Sequence, residues 1–287
     1  KVLPEVAKEN DFALHGGTAI NLFVRNIPRL SVDIDLTYIP IESRKISLEK
    51  IYQSLEQIKA RLSKIIPSSR IEHKKDVGKL LISSNGAEIK LEVNLVGRGI
   101  LGELKKQILS EKTSEEYEAF VSIQVVPFGQ LYGGKICAAL DRQHPRDLFD
   151  VKYLLENEGL SRDVIIGFLL ALISNDRPIH EVLNPNFLDQ KKAMENQFIG
   201  MTSQNFTYDD FEETRLKLVQ LTNKSLREKD KEFLLSIKSM NPKWDIHNFE
   251  KFPAVRWKLQ NLEKLQKSNV KKHKQQLDLL KKHLDAV

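Results

Sequence analysis

The stretch that most constrains this chain is Leu30-Ser31-Val32-Asp33-Ile34-Asp35-Leu36. Leu30, Val32, Ile34 and Leu36 alternate with Ser31, Asp33 and Asp35, a period of two that predicts a strand. One face would meet a core, and the other would carry both carboxylates. Two neighbouring carboxylates repel, and burying both as anions is costly. A divalent cation removes that cost. Mg²⁺ (or Mn²⁺) suits the pair, because a hard ion takes carboxylate oxygens and completes its shell with water and phosphate oxygens. Asp33 and Asp35 are therefore the candidate metal ligands.

Just upstream, Phe12-Ala13-Leu14-His15 is a short apolar run that stops at Gly16-Gly17. Thr18 to Arg25 reads as a short helix, ended by Asn26 and Pro28. The two glycines permit close approach of backbone to a phosphate, and the free N–H groups of a helix start point toward it. Thr18 would cap this helix and bond a phosphate oxygen. Gly16, Gly17 and Thr18 thus form a candidate phosphate cradle beside the candidate metal site. A third acid, Glu92, lies in the strand Glu88–Leu95, which the turn Asn85-Gly86 joins to a strand over Leu80–Ile82. Lys90, Glu92 and Asn94 face away from Ile89, Leu91 and Val93. Glu92 is a third metal ligand, a base for an attacking hydroxyl, or a solvent-facing strand residue.

Elsewhere the spacing predicts a helix over 47–66, a polar helix near 101–112, a strand near 121–127, and helices near 129–140 and 146–157. Beyond residue 160, apolar residues recur at intervals of three and four and strand alternation disappears. The expected architecture is an α/β (α+β) N-terminal domain, 1–159, followed by an all-helical C-terminal domain, 160–287. Hydrophobic residues make up 41% of the chain and charged residues 29%, which excludes a disordered chain. No apolar run approaches the roughly 18 residues needed to span a membrane. The opening residues lack the apolar core of a signal peptide. Cys137 is the single cysteine, expected in a core, so a reducing, cytoplasmic setting is the simplest expectation. The net charge is +6, with an excess of lysine at the end: Lys258, Lys264, Lys267, Lys271, Lys272, Lys274, Lys281 and Lys282. This is either a solvated helix face or a surface for a nucleic-acid backbone. Trp244 and Trp257 are expected to pack the helical domain.

Leu14-His-Gly-Gly-Thr-Ala-Ile-Asn-Leu-Phe23 followed by Arg29-Leu-Ser-Val-Asp-Ile-Asp-Leu36 resembles the AbiEii/AbiGii-type nucleotidyltransferases. These are the toxin half of a toxin–antitoxin and phage-defence system within the DNA polymerase β-like superfamily. Gly134-Lys135 with the helix that follows, Arg146-Asp147-Leu-Phe-Asp150, and the segment Phe252–Leu262 extend the resemblance over most of the chain. The third acid departs from the superfamily pattern, where Asp is frequent. The resemblance implies a polymerase-β-like fold and metal-dependent transfer of a nucleoside monophosphate from a nucleoside triphosphate (NTP) to an acceptor hydroxyl. That acceptor would be RNA, at the 3′ end of tRNA, or a protein hydroxyl; a non-catalytic nucleotide-binding module and a metal-dependent phosphohydrolase, which has less need of a Gly-Gly-Thr cradle, are the remaining alternatives. A cognate antitoxin is implied as partner. Lys135 would meet the triphosphate as a point charge, or be a surface lysine. Asp147 would orient Lys135 or the nucleotide, while Asp150 would cap the helix or pair with Arg146 or Arg142. Ser31 shares the parity of the aspartates and could touch phosphate. Arg29 binds phosphate or is structural, His15 is packed, and His144 sits in a loop.

Overall fold

Phe12, Ala13 and Leu14 are almost fully buried, because the strand they form, β1 (Phe12–His15), runs through the middle of a sheet. The computed structural model describes all residues, 1–287. By internal packing the chain forms two units, residues 1–127 with 201–204, and residues 128–200 with 205–287.

The first unit holds a seven-stranded mixed sheet. Its strands are β1, β2 (Ile34–Tyr38), β3 (Arg70–Lys74), β4 (Lys79–Ser84), β5 (Ala87–Asn94), β6 (Lys105–Ile108) and β7 (Ser122–Val125), in the spatial order β3-β4-β5-β2-β1-β7-β6. β2 runs antiparallel to β1 and parallel to β5. Three helices accompany the sheet: α1 (Val2–Val6), α2 (Gly16–Ala19) and α3 (Arg44–Ile65). Ile51, Leu55, Ile58 and Leu62 form the buried stripe of α3, at the spacing expected of an amphipathic helix. Arg61 ties α3 to the N-terminal turn through Glu5 (3.0 Å) and Glu9 (2.5 Å). A short helix, α4 (Glu111–Glu116), precedes β7.

The second unit is entirely helical: α5 (Phe128–Asp141), α6 (Pro145–Asn157), α7 (Arg162–Leu172), α8 (Ile179–Leu183), α9 (Lys191–Gln197), α10 (Tyr208–Lys224), α11 (Glu228–Lys238), α12 (Pro253–Ser268) and α13 (Val270–Leu284). The backbones of α5 and α7 meet at glycine. A Cβ on Gly133 would lie 2.2 Å from the carbonyl carbon of Gly167. That close approach joins α5 to α7, and the helical unit begins at Phe128, whereas the sequence places the division at residue 159.

Three local expectations change. β2 begins at Ile34, so residues 30–33 are not strand, and Leu30 (46% exposed) and Val32 (56%) do not face a core. The cause is topological. β1 ends at His15, where the chain turns into α2, so β1 offers no partner to residues before Asp35. Within 101–112 the expected polar helix is an edge strand, β6, hydrogen-bonded to β7 with all four side chains exposed, followed by the start of α4. Trp257 is 48% exposed and not packed inside. β3, with its polar sequence, is an additional edge strand.

Candidate active site

The register of β1, β2 and β5 places His15 opposite Asp35 and Asp35 opposite Glu92. Residues paired in register point to the same side of a sheet. One acid from each of two neighbouring strands therefore projects from one face, at the end of β1 where the chain enters α2.

Gly16 makes this arrangement possible. Its φ is +72°, and a Cβ there would lie 2.4 Å from Asp35 Oδ2. The Asp35 carboxylate thus sits directly over the backbone of the helix start. A Cβ at Gly17 would meet Arg29 Nη2 and Ser31 Oγ, each at 2.9 Å. The two glycines thereby bring Arg29, Ser31 and Asp35 against one short backbone segment. Gly16→Ala is expected to cost the roughly 1–2 kcal/mol of a left-handed backbone plus the displacement of Asp35. Gly86→Ala, at φ +76° in the open hairpin turn with nothing within 4 Å, carries only the backbone cost. Urea denaturation should therefore show Gly16→Ala to be the more destabilising; equal losses would mean that Asp35 does not sit as described.

Thr18 is buried, and the cap position of α2 falls instead on His15, which makes no side-chain cap bond. The Thr18 hydroxyl donates to the Asp33 carbonyl oxygen and lies 3.1 Å from Ser31 Oγ. Thr18 thus ties the helix start to the loop that carries the first aspartate. After Ala19 the helix widens into a π-helical turn over Ile20–Val24, closed by Arg25 N–H to Ile20 O at 2.7 Å. Residues 28–30 are pinned from a distant part of the sequence. Leu30 N–H donates to Met201 O at 2.7 Å, and the Thr202 hydroxyl donates to Pro28 O at 2.7 Å. Arg29 is 3% exposed and donates to its neighbour Leu30 O. No periodicity or motif in residues 201–204 announces this role.

Two lysines on the same face carry no motif that marks them in the sequence. Lys79, paired in register with Glu92, holds Glu92 Oε2 at 3.1 Å. The Lys90 ammonium lies 3.6 Å from Asp33 Oδ2 and 3.7 Å from Glu92 Oε2, which places Asp33 on the face of Glu92. Their parity with Glu92 in the hairpin is the one signal that could have found them. No three acidic, histidine or cysteine side chains converge on one point. Asp33 and Asp35 nevertheless offer a hard cation the oxygen donors it prefers, and an ammonium already stands between Asp33 and Glu92. In donor chemistry the face fits a divalent ion, with Glu92 engaged by lysines.

Within the helical unit, Lys135 on α5 is 7% exposed, with its ammonium 2.8 Å from Asp147 Oδ1 and 3.1 Å from Asp150 Oδ2 on α6. Arg142 donates to Asp147 as well, at 2.6 Å. Burial works to raise the Asp147 carboxyl, but the Lys135 and Arg142 cations outweigh it and hold the group well below the usual carboxylate range. Lys135 is therefore no surface lysine. Asp150 pairs with Lys135, and Asp147 takes Arg142. His144 caps α6, its Nδ1 accepting from Arg146 N–H at 3.1 Å, and burial lowers its pKa. Cys137 is buried, and burial pushes its thiol up to about 12, which leaves it inert.

A family model described as "Nucleotidyl transferase AbiEii toxin, Type IV TA system" matches residues 1–261. Among solved structures, the chain is similar to MenT4, a nucleotidyltransferase toxin from Mycobacterium tuberculosis H37Rv. The TM-score is 0.60 at 14% identity, over 91% of this chain and 89% of that one, a likeness of fold. No curated protein matches the sequence. No helix is long and apolar enough to cross a membrane.

Proposed function

The chain belongs to the AbiEii nucleotidyltransferase toxin family of type IV toxin–antitoxin systems, and on that premise we propose that it moves a nucleoside monophosphate from an NTP to the 3′ end of tRNA, using Mg²⁺ or Mn²⁺. The observation that carries this reading is the seating of Asp35 over Gly16, in register with Glu92 and two residues from Asp33. It sets a pair of acids against a glycine backbone suited to phosphate.

Asp33 and Asp35 would hold the divalent ion, with Glu92 as the third acid. Bound there, the ion supplies positive charge for the phosphoryl oxygens and the attacking hydroxyl. The chain's own groups bind and orient. Gly16 and Gly17 are assigned to the β and γ phosphates through the N–H groups of the helix start. Ser31 and Arg29 lie against that backbone on the same side. Thr18 positions Asp33 through its carbonyl. Lys135 is assigned to the triphosphate and Asp147 to its orientation, a role that the 2.8 Å separation between them supports. The acceptor oxygen forms a bond to the α phosphorus while the bond to the β-phosphate oxygen breaks. Pyrophosphate leaves, and the hydroxyl proton passes to Glu92 or to solvent. A cognate antitoxin is the expected partner of such a toxin.

RNA as acceptor draws support from the last helix. Lys258 is withdrawn from the basic end, since it is buried and donates to Asn175 O (2.5 Å) and Arg177 O (2.6 Å). Burial lowers its pKa to about 8. Lys267 pairs with Glu263. The lysines of α13, Lys271, Lys272, Lys274, Lys281 and Lys282, are all exposed, opposite the buried His273, Leu280 and Leu284. Replacing these five with Gln should weaken tRNA binding and flatten its dependence on salt, by about 0.7–0.9 in log–log slope for each phosphate that is no longer neutralised. Fluorescence anisotropy across a salt series reads this, and an unchanged slope would remove α13 from the RNA surface.

The acceptor is tested by incubating the protein with total tRNA and each α-labelled NTP in turn, beside Asp33→Ala and Asp35→Ala. Label on tRNA that disappears in both variants supports the reading. Label on protein alone would move the acceptor to a protein hydroxyl. Bound triphosphate without any transfer would make the chain a nucleotide-binding module.

A further inference from the structure

We propose that Lys90 is a built-in counter-ion of the metal site, a positioning residue that holds Asp33 and Glu92 when no metal is bound and competes with the divalent ion for them. The inference rests on the reading of Asp33 and Asp35 as metal ligands. Its basis is the position of the Lys90 ammonium between two acids that belong to different segments, 3.6 Å from one and 3.7 Å from the other. Both separations exceed hydrogen-bond length, so the attraction is electrostatic and undemanding in geometry. Without Lys90, Glu92 would keep only Lys79, and the Asp33 carboxylate would be deprived of the ammonium beside it. All three side chains are about a third exposed, so the lysine has solvent to withdraw into. A lysine suits this task better than an arginine. Its charge is compact, its stem flexible, and no planar fork fixes it to a carboxylate.

An ion bound to the Asp33 carboxylate would stand a few ångströms from that ammonium, and two cations so placed repel. Occupancy by one therefore works against the other, and the linkage is reciprocal. Lys90 thus lowers the affinity of the face for metal. It also offsets the repulsion between the acids and keeps them close to their working positions, so that a metal ion arriving with an NTP finds them in place.

The test is a titration of the full chain with Mn²⁺ alone, followed by electron paramagnetic resonance, for the wild type, Lys90→Met and Lys90→Arg. Methionine retains most of the stem and removes the charge, whereas arginine retains the charge. Lys90→Met should bind Mn²⁺ at least about tenfold more tightly than the wild type, and Lys90→Arg, which keeps the charge and grips a carboxylate with its planar fork, should bind it no more tightly than the wild type. In thermal melts, metal-free Lys90→Met should be the less stable protein and should gain more from saturating Mn²⁺. Equal or weaker Mn²⁺ binding by Lys90→Met would overturn the proposal. Asp35→Asn separates the role of Lys90 from the existence of the metal site. Binding that Asp35→Asn abolishes, but Lys90→Met leaves unchanged, overturns the role of Lys90 alone. Binding indifferent to Asp35→Asn overturns the metal site and the role of Lys90 with it.

Discussion

Asp35→Ala and Asp33→Ala should each lower nucleotidyl transfer by at least about 10³-fold, the scale on which loss of an indispensable catalytic group is felt. Neither change should unfold the protein. The Asp33 side chain is 38% exposed and its backbone, not its carboxylate, carries the bond from Thr18. Asp35 lies beside Gly16, opposite the last residue of β1 and on the face away from the buried Ile34 and Leu36, so truncation opens no space in the apolar core. Ile34 and Leu36, which alternate with it, remain buried and keep β2 in place. Initial rates of label transfer, compared with thermal melts of the same preparations, read both halves of the expectation. A variant with more than a tenth of wild-type activity would show that its carboxylate is dispensable.

The second large effect is on stability. Lys135→Met removes the cation between Asp147 and Asp150, both of which are about 1% exposed. Removing one partner of a buried ion pair costs up to about 3–5 kcal/mol, and Arg142 stays on Asp147 to offset part of it, so the variant should unfold at lower urea concentration. Asp147 also carries a pH signature. Burial alone would raise its pKa, but Lys135 and Arg142 lower it below the unfolded value. A carboxyl depressed on folding contributes stability that is complete above the ordinary range near pH 4 and is lost as the pH falls through its lower folded value. Asp147→Asn should therefore be less stable than the wild type at neutral pH, with the gap narrowing in acid. Urea midpoints from neutral pH downward test this, and a gap independent of pH would remove Asp147 from the ion-pair network.

The architecture around Gly16 and Asp35 is largely legible in the sequence, because it is written in local patterns. Gly16-Gly17 after an apolar run, and acids alternating with Ile34 and Leu36, mark a strand–helix–strand unit that the structure contains. What escapes such reading depends on distant partners. The alternation of Leu30 and Val32 looks like strand, yet β1 ends at His15 and gives those residues no partner on its side, and Leu30 N–H donates to Met201 O instead. Lys105–Ile108 has no apolar period, and only the free edge of β7 makes it a strand. Residues 201–204 hold the loop of Pro28 and Leu30 from far along the chain. Lys135 and Asp147 stand out in the sequence, but their near-complete burial accompanies the meeting of α5 with α6, where Lys135 pairs with Asp147 and Asp150, and no periodicity records that meeting.

The most direct test of nucleotidyl transfer at Asp33 and Asp35 follows α-labelled and γ-labelled NTP in parallel with tRNA, wild-type protein and Asp35→Ala. The expected result is that α label enters tRNA, that γ label leaves as pyrophosphate, and that Asp35→Ala does neither. Label from the γ position on the acceptor, or its release as free phosphate without transfer of the α label, would contradict it.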